Sequence, residues 1–326
     1  MSRKISRSFI NGRAGAGTAG QGIKVEWDST NDGELHWKDV SESSLEYAPT
    51  WYGDRGIWFG GYLGSTVIDY VDITSTGNAT DFGNTSGNKQ GVSACSNGSR
   101  GVSIGTVSGG TGIEYITIST TGNGTNFGDL STGRSEASAT CDGTRGIDAG
   151  GGSSNTMEYI TMATTGNSTD FGDLTVGRGT LQSCSDGTKG LWGGGGSSNT
   201  IDYVTISTLG NATDFGNLTV SKNETMGAFS GISGTRGVWG GANGTNVIDY
   251  ITIATTGNAT DFGNMFLSRW AGGGCSNDTR GCFGGGEGGG THNVIDYITI
   301  ATTGNALDFG DLTVARRAMV GSCSGN

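Results

Sequence analysis

Histidine is nearly missing from this chain: its 326 residues hold two, His36 and His292. A copper site calls for several imidazoles and a zinc site for a Cys/His spacing that is not present, so neither a metal nor a cofactor is expected. Proline is scarcer still, a single residue, and proline plus glycine stays below the ~25–30% of low-complexity disorder although glycine numbers 65. No apolar run is long enough to cross a bilayer. The basic start from Met1 to Arg7 has no apolar stretch behind it, so a secretory signal is not expected and the chain is taken to be made in a cytoplasm. Positive charge is short too: a formal net charge of −11 opposes attraction to nucleic acid and anionic membranes.

What the chain has in plenty is repetition. An Ile-Asp-Tyr-Ile-Thr-Ile-like segment followed by Thr-Gly-Asn-x-Thr-Asp-Phe-Gly returns every 44 to 47 residues, at Tyr70, Tyr115, Tyr159, Tyr203, Tyr250 and Tyr297. A second motif, Thr/Ser-Arg-Gly-apolar-x-x-Gly, precedes each tyrosine, beginning at Arg55, Arg100, Arg145, Lys189, Arg236 and Arg280. Short β-branched runs and glycine turns at this period predict an all-β fold, a β-propeller with one four-stranded sheet per repeat. In the third repeat the strands fall at about 134–142 (A), 144–150 (B), 156–163 (C) and 168–176 (D), separated by Asp142-Gly143, a glycine run and Gly166-Asn167.

The two ends of the repeat array are complementary. The last copy stops at Cys323-Ser324-Gly325-Asn326, after strand A, and the first begins at Tyr52-Gly53-Asp54-Arg55 with strand B. Pairing the two makes one composite blade, and six blades close the ring without an exposed edge. The propeller is assigned to 51–326 and a separate attachment or oligomerisation segment to 1–50. That segment has a basic tip (Arg3, Lys4, Arg7), a Gly/Ala-rich stretch, and a possible hairpin bearing Trp27 and Trp37. Fifty residues can bury two tryptophans only against something larger, so these five residues are the candidate attachment site.

Five of the six cysteines, Cys95, Cys141, Cys184, Cys275 and Cys323, fall at the end of strand A in different blades, where ring geometry is expected to keep them apart as thiols. Cys282 takes a core hydrophobe's position, and a Cys275–Cys282 bridge across one hairpin is the alternative. The propeller's Lys and Arg residues occupy two repeat positions, at the start of strand A (Lys89, Arg134, Arg178, Lys222, Arg269, Arg316) and of strand B, plus one extra, Arg317. Pairing with the repeated carboxylates Asp81, Asp170, Asp214, Asp261 and Asp308 is expected to stitch blades together. The Asn-x-Ser/Thr triplets at Asn78, Asn123, Asn167, Asn211 and Asn258 are attributed to local backbone hydrogen bonding in the turn.

Variation is concentrated in the loops between strands B and C, which makes them the candidate recognition surface. Their residues are Tyr62 and Leu63, Thr106, Ser153 and Asn155, Ser197 and Asn199, Asn243 and Thr245, and Glu287 and His292. They are small and polar with few aromatic anchors, which points to weak or multivalent binding. With no asymmetric constellation of His, Cys or carboxylates, an enzyme is not expected.

The order of basic residue, strand A, Arg-Gly strand, double glycine and strand-C tyrosine resembles the kelch repeat over about 51–326, with Phe82, Phe127, Phe171, Phe215, Phe262 and Phe309 where kelch units carry tryptophan. The near-identical copies are also similar to propeller repeats in structural and tail-associated proteins of tailed bacteriophages. That resemblance implies a virion structural protein assembled in the host cytoplasm. Its N-terminal segment would meet other virion proteins or further copies of itself, and its loop face would serve decoration or adhesion to a host-surface glycan or protein. A bacterial lectin-like or protein-interaction propeller is the alternative.

Overall fold

The computed structural model describes residues 53–317 other than 63–64, 107–108, 231–235 and 278, together with the strands Trp27–Ser29, Leu35–Trp37 and Ser322–Gly325. The chain divides into two compact units, Met1–Thr50 and Trp51–Asn326. In the first, Trp27–Ser29 and Leu35–Trp37 pair antiparallel with Trp27 opposite Trp37. The second is a six-bladed propeller of four-stranded antiparallel blades.

Blade 1 joins Ser322–Gly325 to Arg55–Gly61, Ser65–Asp72 and Thr80–Asn84, so the composite blade forms as the split terminal repeat predicts. Blades 2 to 6 begin with strands A at Ser93–Ser96, Ala137–Cys141, Gln182–Ser185, Gly227–Ser230 and Gly273–Ser276. The A strands adjoin one another around the axis and the D strands lie outermost. Each strand B begins at the repeated base, and in blade 3 strand D, Thr169–Asp173, is shorter than the sequence pattern suggests.

Between each pair of neighbouring blades lies one hydrophobic cluster, and together the six clusters account for the period. One joins Val102, Ile113 and Phe127 of blade 2 to Ala139, Ile160 and Met162 of blade 3, and another joins Cys282, Ile295 and Phe309 of blade 6 to Trp58, Val71 and Ile73 of blade 1. Strand C has apolar groups on both faces because each blade is covered on both faces. At about 1.5–3 kcal/mol for each large side chain removed from water, these interfaces supply most of the force that holds the ring.

The turn asparagines act across blades, a correction to their expected local role. Asn211 Oδ1 accepts the Asp173 N–H at 3.0 Å, Asn167 accepts that of Asp129 at 3.0 Å, and Asn78 accepts that of Asp311 at 3.1 Å across the closure. Each turn thereby lies on the neighbouring blade's strand D. Its approach requires a glycine there: a Cβ on Gly172 would collide with the Gly210 carbonyl.

The cysteines also need correcting. Cys141 stands opposite Gly146, one residue out of step with Cys95, Cys184 and Cys275, which stand opposite Val102, Leu191 and Cys282. The ring therefore does not separate them all, and Cys95 and Cys141 share one buried cluster. The five described cysteines are buried thiols, so the Cys275–Cys282 bridge is not formed although the two residues are cross-strand partners.

Candidate recognition face

The repeated charges are spent on architecture, but not with the expected partners. The strand-A bases are buried and pair within their own blade with the acid that precedes the strand-C tyrosine. Arg178 meets Asp202 at 2.8 Å, Lys222 meets Asp249 at 3.4 Å, Arg269 meets Asp296 at 2.6 Å and Arg316 meets Asp69 at 2.7 Å. Lys89 faces Glu114 at 3.8 Å, while Arg134 bridges Glu158 and an additional acid, Asp148. Asp81, Asp170, Asp214, Asp261 and Asp308 are exposed, because alternation along strand D turns Phe inward and Asp outward.

The strand-B bases supply the bond between blades. Each lies over the tyrosine of its own blade, Arg145 at 4.6 Å from the Tyr159 centroid and Arg236 at 4.5 Å from Tyr250. The far end of each then donates to a carbonyl of the next blade, Arg145 to Ile206 at 2.8 Å and Arg280 across the closure to Ile73 at 3.2 Å. The same tyrosines meet the strand-D phenylalanines edge-to-face, Tyr159 and Phe171 at 6.2 Å and 78°. Base, tyrosine and phenylalanine thus form one stack per blade, which explains why they recur together.

Symmetry breaks on the opposite face, where the B–C loops hydrogen-bond to the connections leading into strand A. Two residues after five of the six buried bases the backbone turns left-handed, at Gly91, Glu136, Thr180, Glu224 and Ala271 with φ of 62°, 65°, 58°, 52° and 53°. These positions are linked in sequence around the axis: Glu136 N–H to Gly91 O at 2.6 Å, Thr180 N–H to Glu136 O at 2.8 Å, and Ala271 N–H to Glu224 O at 3.1 Å. Left-handed backbone at Glu and Thr costs about 1–3 kcal/mol per residue and is held in place by this belt of hydrogen bonds.

Side chains at the belt and the adjoining loops form a mixed cluster beside the ring closure. Arg317 lies 4.3 Å from the Tyr62 centroid and 3.5 Å from Glu287 Oε2, which also accepts from Thr291. Burial, reinforced by Glu136 and Glu287, raises the Glu224 carboxyl above the usual carboxylate range, and Arg317 opposes the shift. Trp270, half-buried, exchanges backbone hydrogen bonds with Glu287, and the His292 ring nitrogen Nε2 lies 2.9 Å from the Gly288 carbonyl oxygen. Carboxylates outnumber the guanidinium, and an aromatic face stands beside them.

The cluster unites Tyr62, Glu287 and His292 from the residues singled out in the sequence. Ser153, Asn155, Ser197 and Asn243 are exposed on the loops of blades 3 to 5, Thr245 is half-buried there, and Asn199 is half-buried at the start of strand C of blade 4, Ser198–Thr205. Thr106 ends strand B of blade 2 opposite Gly110. Leu63, Arg3, Lys4 and Arg7 lie outside the described residues, and Trp27 and Trp37 are placed only as hairpin partners. Glu136, Glu224 and Trp270 escape the sequence reading, although the constant two-residue distance of both glutamates from the buried base and the glycine at the equivalent position 91 are visible in the repeat. The sequence matches no protein-family model and no curated protein.

Proposed function

We propose that this chain is a non-enzymatic recognition propeller and, more narrowly, a kelch-like structural protein of a tailed-phage virion. In this reading residues 1–50 attach it to the tail, neck or capsid, and the loop face meets a host-surface glycan. One observation carries the recognition role. The repeated bases are committed to contacts within and between blades, whereas Glu136, Glu224, Glu287, Arg317, Tyr62 and Trp270 break the symmetry at one place on one face. Carboxylates and a guanidinium beside aromatic rings suit the hydroxyls and apolar faces of a sugar. The virion assignment is supported by the wording of the repeats and by the separate N-terminal unit.

Two measurements on native material test the reading. Mass spectrometry of purified particles is expected to find this chain at structural stoichiometry, and full-length protein is expected to be retained on intact host cells. Arg317→Ala should lower that retention several-fold without lowering the melting temperature by more than about 2 °C, since the residue is partly exposed. Absence of the chain from particles rules out the virion assignment; equal retention of the variant rules out the cluster as the binding site. A lectin-like propeller outside any particle is the second reading, favoured by the same cluster and distinguished by the first measurement.

A further inference from the structure

The one-residue displacement of Cys141 has a chemical result. At the position shared by Cys95, Cys184 and Cys275 the sulfur faces the next blade: Sγ lies 2.8, 2.8 and 2.6 Å from where a Cβ would stand on Gly146, Gly237 and Gly56. In blade 3 Thr140 occupies that position, opposite Ile147, and Cys141 follows it opposite Gly146. A shift of one residue along a strand reverses the face, so the Cys141 side chain points back toward blade 2. There it meets Cys95, whose sulfur already lies over Gly146, the strand partner of Cys141. The two side chains belong to one buried cluster, in which Met162 Sδ lies 3.9 Å from Cys95 Sγ. Cys184 of blade 4 faces blade 5, with its sulfur over Gly237, and so turns away from Cys141.

We propose that Cys95 and Cys141 are a modification site, closing to an inter-blade disulfide when a small-molecule disulfide acts as oxidant. One thiol loses its proton and attacks the oxidant, releasing one small thiol and leaving a mixed disulfide. The second then loses its proton and displaces the other small thiol, so two protein thiols are oxidised and one small disulfide is reduced to two thiols. Cys141 ends its strand and accepts a hydrogen bond from the Gly143 N–H at 3.0 Å in the turn that follows, so the oxidant need open only one turn to reach it. Burial raises the Cys141 thiol well above its usual range, which makes the reaction slow at neutral pH and faster in alkali. The bridge would cross-link blades 2 and 3, which no strand pairing joins among the described residues.

Full-length protein is incubated with oxidised glutathione at neutral and alkaline pH, quenched in denaturant with N-ethylmaleimide, and mapped by peptide mass spectrometry. The expected product is a peptide pair linked through Cys95 and Cys141, formed faster in alkali, with a melting temperature roughly 5 °C above that of dithiothreitol-treated protein. Cys141→Ser should fold and lose both the link and the shift, whereas Cys184→Ser should keep them. Linkage confined to Cys275 and Cys282, a stable glutathione adduct without a cross-link, or complete alkylation of both thiols after prolonged alkaline oxidation overturns the proposal. If Cys141→Ser fails to fold, the peptide map of the wild-type protein decides alone.

Discussion

Arg316 Nη2 lies 2.7 Å from Asp69 Oδ2, and the pair joins residues 247 apart in a site where both side chains are buried. Asp69 also accepts from the Thr313 hydroxyl at 2.6 Å, and Arg316 donates to the Val67 carbonyl at 2.8 Å. The ring is thus closed twice in the same blade, by the backbone pairing of Ser322–Gly325 and by this ion pair. In every other blade the corresponding pair spans fewer than thirty residues, as with the 24 between Arg178 and Asp202.

Arg316→Met is therefore expected to destabilise the protein by about 3–5 kcal/mol, because it leaves the Asp69 carboxylate buried without a counter-charge. Adding Asp69→Leu should recover much of the loss, since desolvation of the pair offsets a large share of its attraction. Denaturant unfolding of the single and double variants measures both. Equal losses in the two would show that the site depends on Asp69 for some other reason.

Asp148 is the one carboxylate inserted at a position held elsewhere by Trp58, Ser103, Trp192, Trp239 and Phe283. Burial raises its carboxyl above the usual range, with Glu158 adding to the shift and Arg134 and Ser93 opposing it. A folded acid that holds its proton to higher pH than the unfolded chain contributes most below the unfolded value, and that contribution declines as pH rises through the folded value. Asp148→Asn is expected to match or exceed wild-type stability at neutral pH, with the difference shrinking toward pH 4. Thermal unfolding from pH 4 to 8 checks it, and a variant that loses stability mainly at neutral pH contradicts it.

Neighbouring blades fit by size. Gly193 lies under the indole of Trp239, where a Cβ would come 2.7 Å from Nε1, and Gly240 and Gly284 receive Phe283 and Trp58 in the same way. At the equivalent position blade 1 carries Phe59, and the next blade answers with Ser103 in place of the aromatic residue. Gly193→Ala is expected to cost about 1–3 kcal/mol by overpacking. Gly77→Ala, with nothing near its added methyl, should fall within about 0.5 kcal/mol of wild type, as surface changes generally do. Melting curves of the two variants make the comparison.

Blade number, strand order and ring closure were legible in the sequence because a repeat states them again and again, and the bases at Arg145 and its equivalents marked the start of strand B. Partners were harder to see. Asp81 and Asp69 lie twelve residues apart in one repeat, and only the alternation of buried and exposed faces decides that Asp69 meets Arg316. The contact of Asn211 with Asp173 crosses between blades, so no local pattern reveals it. The displacement of Cys141 was in plain view, Ser-Ala-Thr-Cys against Ser-Ala-Cys-Ser, but it gains meaning only once strand A is known to face a neighbour on each side. The left-handed belt was masked because one backbone state is filled by Gly91, Glu136, Thr180, Glu224 and Ala271 in turn.

The asparagine turns offer the most direct test of how the blades are joined. Asn78 and Asn211 are both exposed and make the same bond, to the Asp311 and Asp173 amides, but only the first spans the ring closure. Replacing either by Ala leaves an amide that water can still reach, so each change is expected to cost about 1 kcal/mol and the two should be equal within error at equilibrium. Hydrogen exchange should separate them. At the closure, blade 1 takes its strand A, Ser322–Gly325, from the far end of the chain, so loosening the Asn78 turn should speed exchange in Thr80–Asn84 and in Leu307–Asp311 together. Asn211→Ala should confine faster exchange to the Asp173 amide and its immediate neighbours. Identical, local exchange changes in both variants would show that the closure is no weaker than the covalently continuous interfaces.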